Sequence, residues 1–160
     1  MNNLDFFLTC LKSESFSTAT LFKSLPSYRL NYKPHEVNRT AREIVEHILC
    51  HLVDLSIIST NSQCDELLNF DFTDSDSASE KFIELSAALS ATLKNLTIEQ
   101  WENENVELLI NGKSFVTLPR AQMMWFFFFD IIHHRGQLST YVRPMGGKVP
   151  AIYGFSADTI

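Results

Sequence analysis

Two stretches of the 160-residue chain carry side chains whose types and spacing could do chemistry. The first is Asp130 to Tyr141, where Asp130, His133, His134, Arg135 and Gln137 follow an abrupt aromatic run, Trp125 to Phe129. A helix turns about 100° per residue, so Asp130, His134, Gln137 and Tyr141 fall within about 60° on one face. A carboxylate and an imidazole one turn apart are costly to bury unless they pair, hydrogen-bond or share a metal ion. Taken alone, Asp130 and His134 read first as a hydrogen-bonded core pair and second as metal ligands. The other stretch holds His47 and His51, also one turn apart, on a polar stripe with Thr40, Glu43 and Asp54. Two imidazoles at that spacing can share a metal, and the same stripe fits a solvated helix face.

Both stretches need helices to present them, and the apolar spacing supplies four. Leu4, Phe7, Leu8 and Leu11, continued by Ala19, Phe22 and Leu25, predict a first helix over 3–24, kinked near the serines at 13–17 and stopped by Pro26. An extended linker to Arg39 should follow. Thr40 with Glu43 forms a capping box for a second helix ending near Ser59, its apolar stripe being Ile44, Ile48, Leu52 and Leu55. Residues 61–76 are polar and acidic and read as a long loop with one short turn. Ser77 with Glu80 reads as the cap of a third helix running to Asn95, and Thr97 with Gln100 as that of a short turn. From Val106 the period drops to two, and Asn111-Gly112 lies between two strand-like runs, which predicts a hairpin. Thr117 should then cap the last helix, which carries Asp130 and His134 and stops at Arg143, before Pro144 and two glycines. That helix is apolar almost all round, which predicts a central place in a bundle. Lys148–Ile160 reads as an extended, packed tail. The expected architecture is all-α, one domain over residues 1–160: a four-helix bundle with a short β-hairpin inserted before the last helix.

Composition excludes several classes. Net charge is −6 with no basic cluster, so a nucleic-acid partner is not expected. No apolar run reaches the roughly 18 residues of a membrane span, and the first fifteen residues lack a leader's pattern. Cys10, Cys50 and Cys64 are odd in number and scattered, which fits free thiols in a reducing, cytoplasmic setting. Cys50 is one turn from His47 and reads as a buried inert thiol before it reads as a ligand. Phe126 to Phe129 exceed what one bundle core needs, so a homodimer is expected.

The run His133-His134-Arg-Gly-Gln137-Leu-Ser-Thr-Tyr141-Val-Arg143, with Gly146-Gly147, Val149-Pro150, Tyr153-Gly154 and Ser156-Ala-Asp158 after it, resembles the C-terminal signature of the DinB-like (DinB/YfiT-like) family. The resemblance implies a four-helix bundle holding a divalent metal, usually zinc or nickel, on a second-helix histidine and two last-helix residues four apart. Carried over, the ligands are His47, Asp130 and His134, with Asp130 standing where the family commonly has histidine, and with His51 as the alternative on the second helix. Gln137 and Tyr141 would orient a substrate, His133 would pack beside the site, Arg135 would pair with a carboxylate, and Gly136 would permit close helix contact. Family activities imply a metal-dependent transferase acting with a low-molecular-weight thiol, or a related hydrolase or isomerase. The other class is a non-catalytic metal-binding or stress-response module.

Overall fold

A computed structural model describes residues 1–160. Four helices start where a side chain takes up the orphan amides of the first turn. Asn2 with Asp5 caps α1 (Asn3–Lys23), Thr40 with Glu43 caps α2 (Ala41–Thr60), Asp74 with Ser77 caps α3 (Ser75–Leu93), and Thr97 with Gln100 caps the short α4 (Ile98–Glu102). The third box is therefore shifted from the expected Ser77/Glu80: Asp74, an equally good cap, lies one turn earlier, and Ser77 serves as its N3 partner. The last helix, α5 (Arg120–Ser139), has no side-chain cap. It leaves directly from a strand that runs through Pro119, so Thr117 is a strand residue and not a cap.

The first helix is continuous, without the expected kink at the serines. Ser15 and Ser17 donate back to the carbonyls of Leu11 and Ser13, which keeps their hydroxyls satisfied inside the helix. The linker is not fully extended either: Ser27–Arg29 forms one tight helical turn. α1 packs chiefly on α3 and α5, and α2 packs on the same two helices, so the consecutive α1 and α2 face each other across the bundle. Phe7, Phe22, Leu49, Leu52, Leu89 and Phe127 fill the centre. Each such side chain contributes roughly 1.5–3 kcal/mol on burial, so the apolar core supplies most of the stability.

The hairpin forms as expected from Asn111-Gly112. β2 (Asn105–Ile110) pairs antiparallel with β3 (Lys113–Pro119), and the turn residues take φ of 52° and 71°. Inside the segment expected to be loop lies a third strand, β1 (Gln63–Asp65), parallel to β2. Three residues are too short for an alternation to register; the free edge of the hairpin recruits them. The Asp65 carboxylate accepts the Gly112 amide at 3.0 Å, fixing the hairpin tip to β1.

α5 ends at Ser139, a turn short of the expected Arg143, and a series of turns carries the chain to Gly146 at φ 91°. Gly147 follows because a Cβ there would lie 2.5 Å from the Ser24 carbonyl oxygen. Gly136, by contrast, is exposed with nothing near its Cβ position, so the expected helix contact is absent. α5 is not central all round: Phe127 and Phe128 are buried, whereas Phe126 and Phe129 are 51% and 60% exposed.

Candidate metal centre

The site is built where α2 and α5 lie side by side. Successive turns of α2 put His47 and His51 on the flank that meets Asp130 and His134 of α5, and Phe127 closes the floor with its ring 4.9 Å from that of His51. One oxygen, Asp130 Oδ2, is approached by three imidazole nitrogens. His51 Nε2 lies 2.8 Å away, His134 Nε2 3.3 Å and His47 Nε2 3.5 Å. The rings are mutually packed, with His47 centred 4.1 Å from His51 and 4.6 Å from His134. The fold brings His47, Asp130 and His134 to one point, and it joins His51 to them in the same cluster.

Hydrogen bonds at the far nitrogens fix the rings. His134 Nδ1–H donates to Gln137 Oε1 at 3.0 Å, which leaves Nε2 facing Asp130. His51 Nδ1 lies 3.5 Å from Asp54 Oδ2, and Asp54 is fully buried. The other oxygen of Asp54 accepts the Leu67 amide at 3.1 Å and faces the Cys64 thiol. His47 finds no such support from Glu43, whose carboxylate is taken by the Thr40 amide and hydroxyl.

Charge follows from these contacts. Hydrogen bonds from His134, then His47 and His51, hold the Asp130 carboxyl far below its usual range. Burial lowers the His47 pKa, so that imidazole is neutral near pH 7. Burial also opposes charge on His51, but its bonds to Asp130 and Asp54 outweigh it and raise the pKa to about 9. Cys50 and Cys64 are pushed up to about 11 and about 12 by burial and then by Asp54. Neither is a ready thiolate, as expected for Cys50.

The remaining expected residues divide. His133 is exposed and packs edge-on against His134, 5.0 Å between centroids. Tyr141 does not face an open pocket; it is buried, and its hydroxyl donates to the Arg39 carbonyl at 3.2 Å. It anchors the start of α2 and so places Arg39. Arg135 forms the expected ion pair, with Glu14 of α1, and also donates to the Tyr153 hydroxyl, which ties the tail to the bundle.

Two residues of the site were missed in the sequence. Asp54 was visible as a member of the α2 polar stripe, three residues after His51. Glu66 sits in the segment read as loop, and its carboxylate comes within 4.8 Å of donor atoms of His47 and His51. Its only signal was acidity, shared by many neighbours. His47, Asp130 and His134 also have donor atoms within 4.8 Å of one another, and the two sets meet at His47. Beside His47 opens a polar cavity of about 370 Å³, with Arg39, Glu43, Glu46 and Glu66 among its walls.

Solved structures share this arrangement of helices. A DinB-like protein of Bacillus subtilis, YjoA, superposes with a TM-score of 0.72 at 21% identity, over 94% of this chain and 99% of that one. A DinB-like protein of Bacillus cereus gives 0.72 at 16% identity, over 92% and 95%. YfiT of Bacillus subtilis, described as a probable metal-dependent hydrolase with an unusual four-helix bundle topology, gives 0.62 at 16%, over 91% and 89%. No curated protein matches the chain. The sequence profile of the DinB family matches residues 1–159, end to end across the helices, the hairpin and the histidine–aspartate cluster, and the chain belongs to that family.

Proposed function

We propose that this protein is a metal-dependent enzyme in which His47, Asp130 and His134 hold one divalent ion, zinc or nickel, and a low-molecular-weight thiol is transferred to a small electrophile. One observation carries the reading: the spacing of the donors around Asp130. Ligands of a tetrahedral zinc at about 2.0–2.1 Å lie roughly 3.3–3.5 Å from one another. His134 and His47 stand 3.3 and 3.5 Å from Asp130 Oδ2, at ligand spacing, whereas His51 stands 2.8 Å away, at hydrogen-bond spacing. Two imidazoles and a carboxylate are a familiar catalytic zinc set with room for one more ligand. The description of YfiT as a probable metal-dependent hydrolase supports the same class.

A bound divalent ion supplies Lewis acidity, favouring the deprotonated form of a thiol or water placed beside it. The chain's own groups do the rest. Gln137 keeps the His134 lone pair aimed inward, and Asp54, through His51, holds the Asp130 carboxylate in place. The walls beside His47 include one cation, Arg39, and three acids, Glu43, Glu46 and Glu66. That pattern suits a zwitterionic thiol, with its carboxylate toward Arg39 and its ammonium toward the acids.

A second assignment of the α2 ligand has one observation in its favour. His51 has a buried carboxylate on its far nitrogen, the usual support of a metal-bound imidazole. Alanine variants of His47 and His51 separate the two, with zinc content measured after dialysis. The proposed set predicts loss in His47→Ala and retention in His51→Ala.

Activity is tested with the zinc- and nickel-loaded protein, a panel of small thiols and a chromogenic aryl halide. Ion-dependent conjugation, abolished by His134→Ala, is the expected result. An ion-binding protein with no turnover across the panel would replace this reading with the non-catalytic one.

The exposed aromatic face lies elsewhere. Phe6, Trp125 and Phe129 line a groove between α1 and α5, with ring centroids 5.9 and 5.3 Å apart along the row. We assign this groove to a second copy of the chain.

A further inference from the structure

Glu66 has no place in the three-ligand set, yet it belongs to a second set of the same composition. One ring nitrogen each of His47 and His51 and the Glu66 carboxylate lie within 4.8 Å of one another, again two imidazoles and a carboxylate. Neither Asp130 nor His134 belongs to this group, and only His47 is common to both. The backbone that presents the second set comes from α2 and the β1 edge, not from α5. His47 and His51 are one turn apart on α2. The Glu66 amide donates to the Leu109 carbonyl of β2 at 2.9 Å, and the next amide, Leu67, donates to buried Asp54 at 3.1 Å. The carboxylate between these anchors is half-buried and takes part in none of the ion pairs of the protein. His47 and Glu66 also line the open cavity of about 370 Å³, whose walls include neither Asp130 nor His134.

We propose that His47, His51 and Glu66 form a second, weaker position for a divalent ion, and that one ion takes either position but not both. The first position is that of His47, Asp130 and His134, and the ranking of the two rests on the metal-site reading above. Exclusion follows from His47: a neutral imidazole has one lone pair to give, so it serves one ion at a time. Weakness follows from His51. Its ring nitrogens already meet Asp130 at 2.8 Å and Asp54 at 3.5 Å, and an ion must break one of these contacts to be bound. The shared histidine also lets an ion pass between the positions without leaving the protein, exchanging Glu66 and His51 for Asp130 and His134 while His47 holds it.

The test measures zinc stoichiometry by equilibrium dialysis and zinc affinity by chelator competition on the purified full chain. The variants are Glu66→Gln, His134→Ala, and His134→Ala combined with Glu66→Gln or with Glu46→Gln. Glu46 lines the same cavity but belongs to neither donor set, so its variant reports the loss of one carboxylate's field without the loss of a ligand. Melting in chelator checks that every variant folds. Wild type should bind one zinc per chain, and Glu66→Gln should bind it with an affinity within about fivefold of wild type, the range of one surface charge. His134→Ala should still bind one zinc, more than about 100-fold more weakly. Adding Glu66→Gln should weaken that residual binding at least about tenfold further, and adding Glu46→Gln less than about fivefold. Two zinc ions per chain in wild type would overturn the exclusion. No residual zinc in His134→Ala, or residual zinc that Glu66→Gln leaves alone or that both acids weaken equally, would overturn the second position and leave the first standing. Wild-type affinity in His134→Ala would instead remove the first position, on which the ranking rests.

Discussion

α5 carries two polar clusters less than two turns apart, and they are built on opposite plans. Around Arg135 the groups saturate one another. The guanidinium meets Glu14, Thr18 and the Tyr153 hydroxyl, and the Tyr153 hydroxyl in turn donates to Glu14 at 2.8 Å. Cation and anion balance, and nothing points away unpaired. Around Asp130 three imidazoles crowd one carboxylate oxygen. The three ring nitrogens compete for this one acceptor, and burial disfavours charge on His47. Once those nitrogens give up their protons, their lone pairs are aimed at a common point. A saturated cluster holds structure; a cluster with more donors of electrons than protons to fill them is prepared for a cation.

The contrast is broken most strongly at Arg135. Arg135→Met should cost about 3–5 kcal/mol of unfolding free energy, because Glu14 and Thr18 lose a partner in a buried setting. Denaturant titration in chelator measures this, and the folded fraction should still bind zinc. His134→Ala should do the reverse. Zinc affinity should fall by more than about 100-fold, about 2.7 kcal/mol, with stability in chelator changed by under about 1 kcal/mol. Equal effects of the two variants on both measurements would erase the distinction.

pH sharpens it further. The His51 pKa is raised in the folded chain to about 9, above its ordinary value of 6.5. A raised folded pKa means that its stabilisation is fully present below about pH 6.5 and is lost as pH rises toward 9. The ion-free wild type should therefore weaken over that window, and His51→Gln should remove that part of the slope. The smallest effect concerns assembly. Wild type should sediment at twice 18.3 kDa, and Phe129→Glu should give the monomer with the metal site intact.

What could be read from sequence was what depends on local spacing. The capping boxes at Thr40 and Thr97, the Asn111-Gly112 turn and the Asp130/His134 pair all declare themselves within a few residues. The α2 stripe shows the limit. Thr40, Glu43, His47, His51 and Asp54 have the pattern of a solvated face, yet His51 is buried against α5 and Asp54 is buried beside Cys64 of β1 and the Leu67 amide. Nothing in α2 itself says which neighbour will cover it. β1 and Glu66 were illegible for the same reason: the strand exists because β2 offers an edge, a partner more than forty residues later. The aromatic run erred differently. An apolar circumference suggested a central helix, but the neighbours of α5 cover only part of it and leave Phe126 and Phe129 exposed.

The diagonal placement of α1 and α2 has a bearing on how the chain reaches this state. His51 and Asp130 are 79 residues apart in sequence, and α5 must dock before any two elements of the cluster meet. Closing so long a loop is slow and comes after local helices have formed. An ion cannot template the early steps, because before docking α2 and α5 each offer only a pair of donors on one helix. An ion that engages only the docked helices is expected to act after the transition state. The expected consequence is kinetic: zinc should slow unfolding and leave the refolding rate unchanged, as unfolding and refolding rates with and without zinc would measure.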